Sequence, residues 1–250
     1  MVLFFGSNHY GWKILTGNLS SANFMNLFHL SDPHAIIQIL LAGFIVGMDV
    51  LVGGLIILGF YSLIGGRAFC SWICPMNIIT DLALWLRKKL NINEVQFNTP
   101  IKRNMRYWIM FLGFLLSLIS GIAAFEFVSP VSMLHRGLIF GMGFGWAAIF
   151  VVFLFDLFVL KNGWCGHICP IGAFYSLVGK YHWIKVQHTV ENCTNCMECF
   201  KVCPEPQVLK IIGKESGSIK NAECTNCGRC IEACHDNALK FITKEKIIRR

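Results

Sequence analysis

Eight of the chain's twelve cysteines fall into two runs of identical spacing, 31 residues apart: Cys193-Thr-Asn-Cys196-x2-Cys199-x3-Cys203 and Cys224-Thr-Asn-Cys227-x2-Cys230-x3-Cys234. Three thiolates on one short loop reach three corners of a cubane, and the fourth is carried away to ligate the other cluster. The spacing therefore predicts two [4Fe-4S] clusters. Cys193, Cys196, Cys199 and Cys234 serve the first, and Cys224, Cys227, Cys230 and Cys203 the second. Two structural zinc sites would also use four thiolates each, but zinc does not account for the third cysteine at x2 in both copies. Pro204 follows the first run as the pattern expects. His235 stands in that place in the second and leaves all eight ligands present. Two clusters sharing ligands across one another suit electron relay better than a structural staple.

The other four cysteines form two Cys-x3-Cys-Pro motifs, Cys70/Cys74 before Pro75 and Cys165/Cys169 before Pro170, at an offset of 95. On a helix a spacing of four places both thiols on one face, and the proline begins or kinks the next helix. Three roles stay open for them: ligands of an additional cluster or metal, redox-active thiols that meet a partner, or packing residues.

The polar segments Trp183 to His188, Val208 to Ile212 and Leu239 to Thr243 have room for strands, and each cysteine run can close with a helical turn. Residues 181–250 thus read as a small ferredoxin-like α+β domain that depends on its clusters for folding. Upstream the composition changes. The chain is 55% hydrophobic and 14% charged, against about 25% charged in soluble domains. Leu41 to Ile64, Tyr107 to Phe125 and Leu138 to Leu160 carry one, no and one charged residue respectively, and each is long enough to span a bilayer. The fold class expected is an α-helical polytopic membrane protein with a C-terminal ferredoxin-like domain. In that division residues 1–40 are a residual first span and a periplasmic segment, and 41–180 a duplicated transmembrane unit.

Lys and Arg counts orient that unit. Arg67, Arg87, Lys88, Lys89, Lys102, Arg103 and Arg106 lie between the first two spans, whereas the next connection has only Arg136. The basic loop and the tail are thereby placed in the cytoplasm, with the leading residues outside. The offset of 95 also maps the span at 41–64 onto 136–159, so the membrane unit is a parallel duplication. Both arguments predict a missing partner helix before the first copy, with residues 1–15 as its end.

Asp49, about nine residues into its span, would cost about 2.5 to 3.5 kcal/mol if unpaired, so it should face protein or water. Glu126, His135, His29 and His34 lie near outer span ends, where a quinol headgroup could deposit protons. Asp49, Glu126 and His135 are the candidates for a proton-transfer role. No histidine pair within the spans suits haem b, and Gly141 to Gly145 reads as close helix packing. The positive charge serves membrane orientation and anionic lipid and needs no nucleic acid.

GGRAFCSWICPMNIITDLALWLRKKL, FEFVSPVSM, FDLFVLKNGWCGHICPIGAFYSLVGK and CTNCMECFKVCPEP with the second cysteine run resemble the NapH family. These are ferredoxin-type membrane subunits of periplasmic nitrate reductase systems, within a wider group of polyferredoxin membrane proteins. The resemblance implies four spans with both ends in the cytoplasm of a bacterial inner membrane. It implies the membrane subunit of a quinol dehydrogenase complex, which oxidises menaquinol or ubiquinol and sends electrons toward nitrate reduction. The partners it implies are a periplasmic iron-sulfur subunit and a membrane-anchored multihaem cytochrome. The competing reading is an assembly factor of the polyferredoxin group that supplies electrons to a partner's metal centre.

Overall fold

Asp32 and Pro33 begin the first helix: the Asp32 carboxylate accepts from the His34 amide at 3.1 Å and Pro33 occupies the first turn, as an N-cap and N1 proline should. This helix, α1 (Pro33–Leu41), follows an antiparallel meander of β1 (Leu15–Gly17), β2 (Ser21–Phe24) and β3 (Phe28–Ser31). A computed structural model describes residues 15–17, 21–24, 28–92, 103–140 and 145–243. The expected span end at 1–15, Lys102 and the glycine run at 141–145 fall wholly or largely outside the described residues.

Helices dominate up to residue 178: α2 (Met48–Ile64), α3 (Ala68–Trp72), α4 (Met76–Lys89), α5 (Met105–Ser120), α6 (Ala124–Val128), α7 (Pro130–Phe140), α8 (Gly145–Leu154) and α9 (Pro170–Val178). π-helical turns cover Phe155–Val159 and Trp164–Ile168. The tail has β4 (Ile184–His188), α10 (Glu198–Val202), β5 (Gly217–Ser218), α11 (Arg229–Glu232) and β6 (Leu239–Thr243). Its sheet runs β5-β4-β6, all antiparallel, with Val186 opposite Phe241.

The apolar segments are helical but interrupted. Gly43 takes φ +85° between α1 and α2. Gly121 ends α5 in the left-handed region at φ +66°, which costs a residue without Cβ least. No helix among the described residues is long and apolar enough to cross a membrane. Two of the three expected strands form; Val208 to Ile212 instead carries a 3-10 turn, Pro206–Leu209, started by its proline. Two compact units result, residues 1–59 with 74–174, and residues 60–73 with 175–250. The segment 60–73, which includes Arg67 and Cys70, thus belongs with the tail.

Candidate iron-sulfur site

The core of the tail is built around its cysteines. Cys199, Cys203 and Cys230 are buried with Val186, Val208, Leu209, Ile212, Ile219 and Leu239, and Cys193, Cys224 and Cys234 pack at its edge. Cys196 is exposed. The repeat at 31 residues is visible in the backbone. Asn195 and Asn226 have φ +57° and +49°, and Met197 and Gly228, which precede α10 and α11, have φ +60° and +80°. Each Asn side chain lies near its loop's first thiol: Cys193 Sγ is 3.8 Å from Asn195 Oδ1, and Cys224 Sγ 3.5 Å from Asn226 Oδ1. Asparagine tolerates the left-handed region better than most residues, so the Cys-Thr-Asn-Cys step forms the same loop twice.

Helices α10 and α11 pack on one another, which brings the two runs together. Cys199 and Cys203 of the first run share one buried core with Cys230 of the second. Burial, with those neighbours, pushes Cys230 up to about 12. Cys199 and Cys224 are also raised, mainly by burial. Without metal these groups stay protonated thiols, and cluster binding must displace their protons. Among the described residues no three His, Cys, Asp or Glu side chains converge on the point a single metal ion would occupy. An all-thiol set spread over two loops fits the corners of an iron-sulfur cluster, where no such convergence is required.

The Cys-x3-Cys-Pro motifs depart from one helical face. Cys70 lies in α3, but Cys74 follows the helix's C-cap, Ile73. Cys165 lies in a π turn, and Cys169, its C-cap, is extended at φ −63°, ψ 114°. The prolines explain this: a residue before proline is driven away from helical geometry, and Pro75 is the N-cap of α4 while Pro170 begins α9.

Sequence reasoning counted Arg67 only as an orienting charge. It is 1% exposed, and its guanidinium donates to Glu205 Oε1 at 2.7 Å and to the Glu223 carbonyl at 3.0 Å. The Gly-Gly-Arg step before a cysteine motif was the available signal.

Of the proton-transfer candidates, Asp49 is exposed in the first turn of α2. Because the helix begins at Met48, this carboxylate complements a helix N-terminus rather than sitting nine residues deep. Glu126 accepts from Ser132 Oγ at 3.0 Å and from Arg136 at 3.2 Å. His135 is buried in α7, and burial pushes it down to about 4. His29 pairs with Asn23 in the meander. His34 is enclosed: its Nδ1 is 3.2 Å from Gln38 Nε2, and the rings of Phe114, Phe125 and Phe174 lie 5.2, 5.8 and 5.5 Å away. Gln38 Oε1 accepts from the Phe125 amide at 3.2 Å, so the His34-Gln38 pair is tied to the residue beside Glu126.

Burial lowers His34 from 6.5 to about 4. Between those values the unfolded chain binds a proton that the folded chain refuses. Stability is therefore full above pH 6.5 and falls on acidification toward pH 4, by on the order of 3 kcal/mol. The drop in thermal midpoint between pH 7 and pH 4.5 is expected to shrink in His34→Gln. An unchanged drop would assign the acid sensitivity elsewhere.

The family described as "4Fe-4S binding domain" matches residues 46–93 and again 140–187, and that described as "4Fe-4S dicluster domain" matches 185–235. A ferredoxin-type protein NapH of Haemophilus influenzae is 40% identical over 250 residues, covering 98% of this chain and 86% of that protein. The chain belongs to the NapH/MauN family of ferredoxin-type proteins. Another member, the methylamine utilization ferredoxin-type protein MauN of Methylorubrum extorquens, is 46% identical over 83% of this chain and 72% of its own length. NapH of Escherichia coli is 42% identical over the same shares. No solved structure matches. Like other members of the NapH/MauN family, the chain is an iron-sulfur protein of electron transfer. The doubled match before residue 187 places a family unit on each Cys-x3-Cys-Pro motif.

Proposed function

We propose that the protein takes electrons from a membrane quinol and passes them to a partner through two [4Fe-4S] clusters in its tail. Cys193, Cys196, Cys199 and Cys234 would hold one cluster, and Cys224, Cys227, Cys230 and Cys203 the other. The observation that carries this reading is the packing of α10 against α11, which puts Cys203 in one buried core with Cys230 of the second run, as crossed ligation requires. Bound there, the clusters supply one-electron transfer. A quinol releases two protons with its two electrons, so its oxidation needs proton acceptors. Glu126, which accepts from Ser132 and Arg136, is the group proposed for that task.

A membrane setting is supported by the apolar side chains left exposed on α2, α5 and α8. Met48, Leu55, Trp108, Leu112, Ile119 and Val151 are each more than 60% exposed, and large exposed apolar areas mark membrane or protein contacts. Residues 41–64, 107–125 and 138–160 would lie in the bacterial inner membrane. The seven basic residues between 67 and 106 and the tail would lie on the cytoplasmic side. With NapH proteins among its relatives, the downstream route proposed is nitrate reduction, and the partners proposed are a periplasmic iron-sulfur subunit and a multihaem cytochrome.

A second reading is favoured by one finding: two relatives at 46% and 44% identity are named for methylamine utilization. On that reading the electrons reduce a metal centre in a partner during its maturation. Both readings are tested by adding menaquinol to the full chain in liposomes and recording cluster EPR signals. Reduction supports the quinol reading. No reduction, with and without a periplasmic iron-sulfur partner, would falsify it and leave the maturation role.

A further inference from the structure

The two cysteine loops have the same sequence but different surroundings. Thr194, Asn195, Cys196 and Met197 of the first loop are exposed, and Thr194 is held by Asp236 through its hydroxyl at 2.5 Å. Thr225 and Asn226 of the second loop are buried, and the segment 60–73 covers them. Ser71 Oγ donates to the Thr225 carbonyl at 2.8 Å, and Trp72 Nε1 to the Asn226 carbonyl at 3.2 Å. Asn226 Nδ2 in turn donates to the carbonyl of Ile64 at 3.1 Å.

Arg67 adds a longer-range tie. Glu205 lies two residues after Cys203, and Glu223 immediately precedes Cys224. The guanidinium grips both positions, and Gln207 Nε2 closes the arrangement on Glu205 Oε2 at 2.7 Å and Glu223 Oε2 at 2.9 Å. Cys203 and Cys224 come from different runs and are assigned to the same cluster. A buried guanidinium whose partners sit beside both holds the two segments in register, and a charged hydrogen bond of this kind is short and directional.

We infer that Arg67 is a positioning residue for the second cluster alone, joining the two segments that supply its ligands. The environment of that cluster, unlike its twin's, is then set by the segment that bears Cys70. The inference rests on the two-cluster reading, and the test separates them.

The full chain, purified in detergent, is analysed for iron and by EPR-monitored redox titration, with Cys227→Ala as the reference that identifies the second cluster's signal. Fewer than about eight irons in the unaltered chain would remove the two-cluster reading itself. Given about eight, Arg67→Gln is expected to retain about four and to lose the signal that Cys227→Ala loses. Arg67→Lys is expected to restore the iron and shift the midpoint potential of that cluster only. Glu205→Gln, which keeps the shape of the side chain, is expected to shift the same potential and serves as the deciding variant if Arg67→Gln does not fold. Unchanged iron and potentials in Arg67→Gln, or in Glu205→Gln where the former does not fold, overturn the inference. So does joint loss of both clusters in Arg67→Lys.

Discussion

Replacing Cys203 by alanine is expected to abolish the same cluster as replacing Cys227, although Cys203 belongs to the other run. Both variants should fall from about eight to about four irons per chain and give matching EPR spectra. Cys234→Ala should instead match Cys196→Ala. The expectation follows from the spacing of the two runs, from Cys203 sharing a buried core with Cys230, and from the packing of α10 against α11. If each run served its own cluster, Cys203→Ala would pair with Cys196→Ala. The effect on stability should also be large. Cys199, Cys203 and Cys230 are part of the tail's core, so losing a cluster removes the bonds that organise that core.

The second large effect is steric. A Cβ on Gly66 would lie 2.6 Å from the Gly179 amide nitrogen, 2.8 Å from its Cα, and closer still to the Tyr175 carbonyl oxygen. A Cβ on Gly179 would lie 2.7 Å from Gly66 Cα. The obstacles are backbone atoms, which cannot swing aside as a side chain can. Gly66→Ala and Gly179→Ala should each cost at least about 3 kcal/mol, at the upper end of overpacking. Thermal unfolding in detergent, followed by iron release, reads this directly. Gly59→Ala is the control: its Cβ would meet nothing within 4 Å, and inside α2 the change should stabilise by about 1 kcal/mol. Equal behaviour of the Gly59 and Gly66 variants would refute the close approach.

Much of the site was legible in the sequence because thiol spacing is a local property. The runs at 193–203 and 224–234 announce their loops, and Asn195 and Asn226 repeat the backbone as the repeat of residues implies. Strands β4 and β6 followed from short polar-apolar segments. What was not legible depended on long-range contacts. Arg67 lies 138 residues from Glu205, and no spacing rule connects them. The helical-face reading of the Cys-x3-Cys pairs failed for a local reason it had understated: Pro75 and Pro170 end the preceding helical geometry before the second cysteine. The helix boundaries at Gly43 and Gly121 were not legible either, because positive φ there interrupts hydrophobic runs that composition reads as continuous.

The central claim is that the tail holds two linked [4Fe-4S] clusters, and one measurement tests it most directly: iron and acid-labile sulfide per chain on the full, unaltered protein, with EPR at full reduction. The account predicts about eight of each and a spectrum broadened by interaction between two reduced clusters. About four irons with a single non-interacting signal, or zinc at two ions per chain in place of iron, would contradict it.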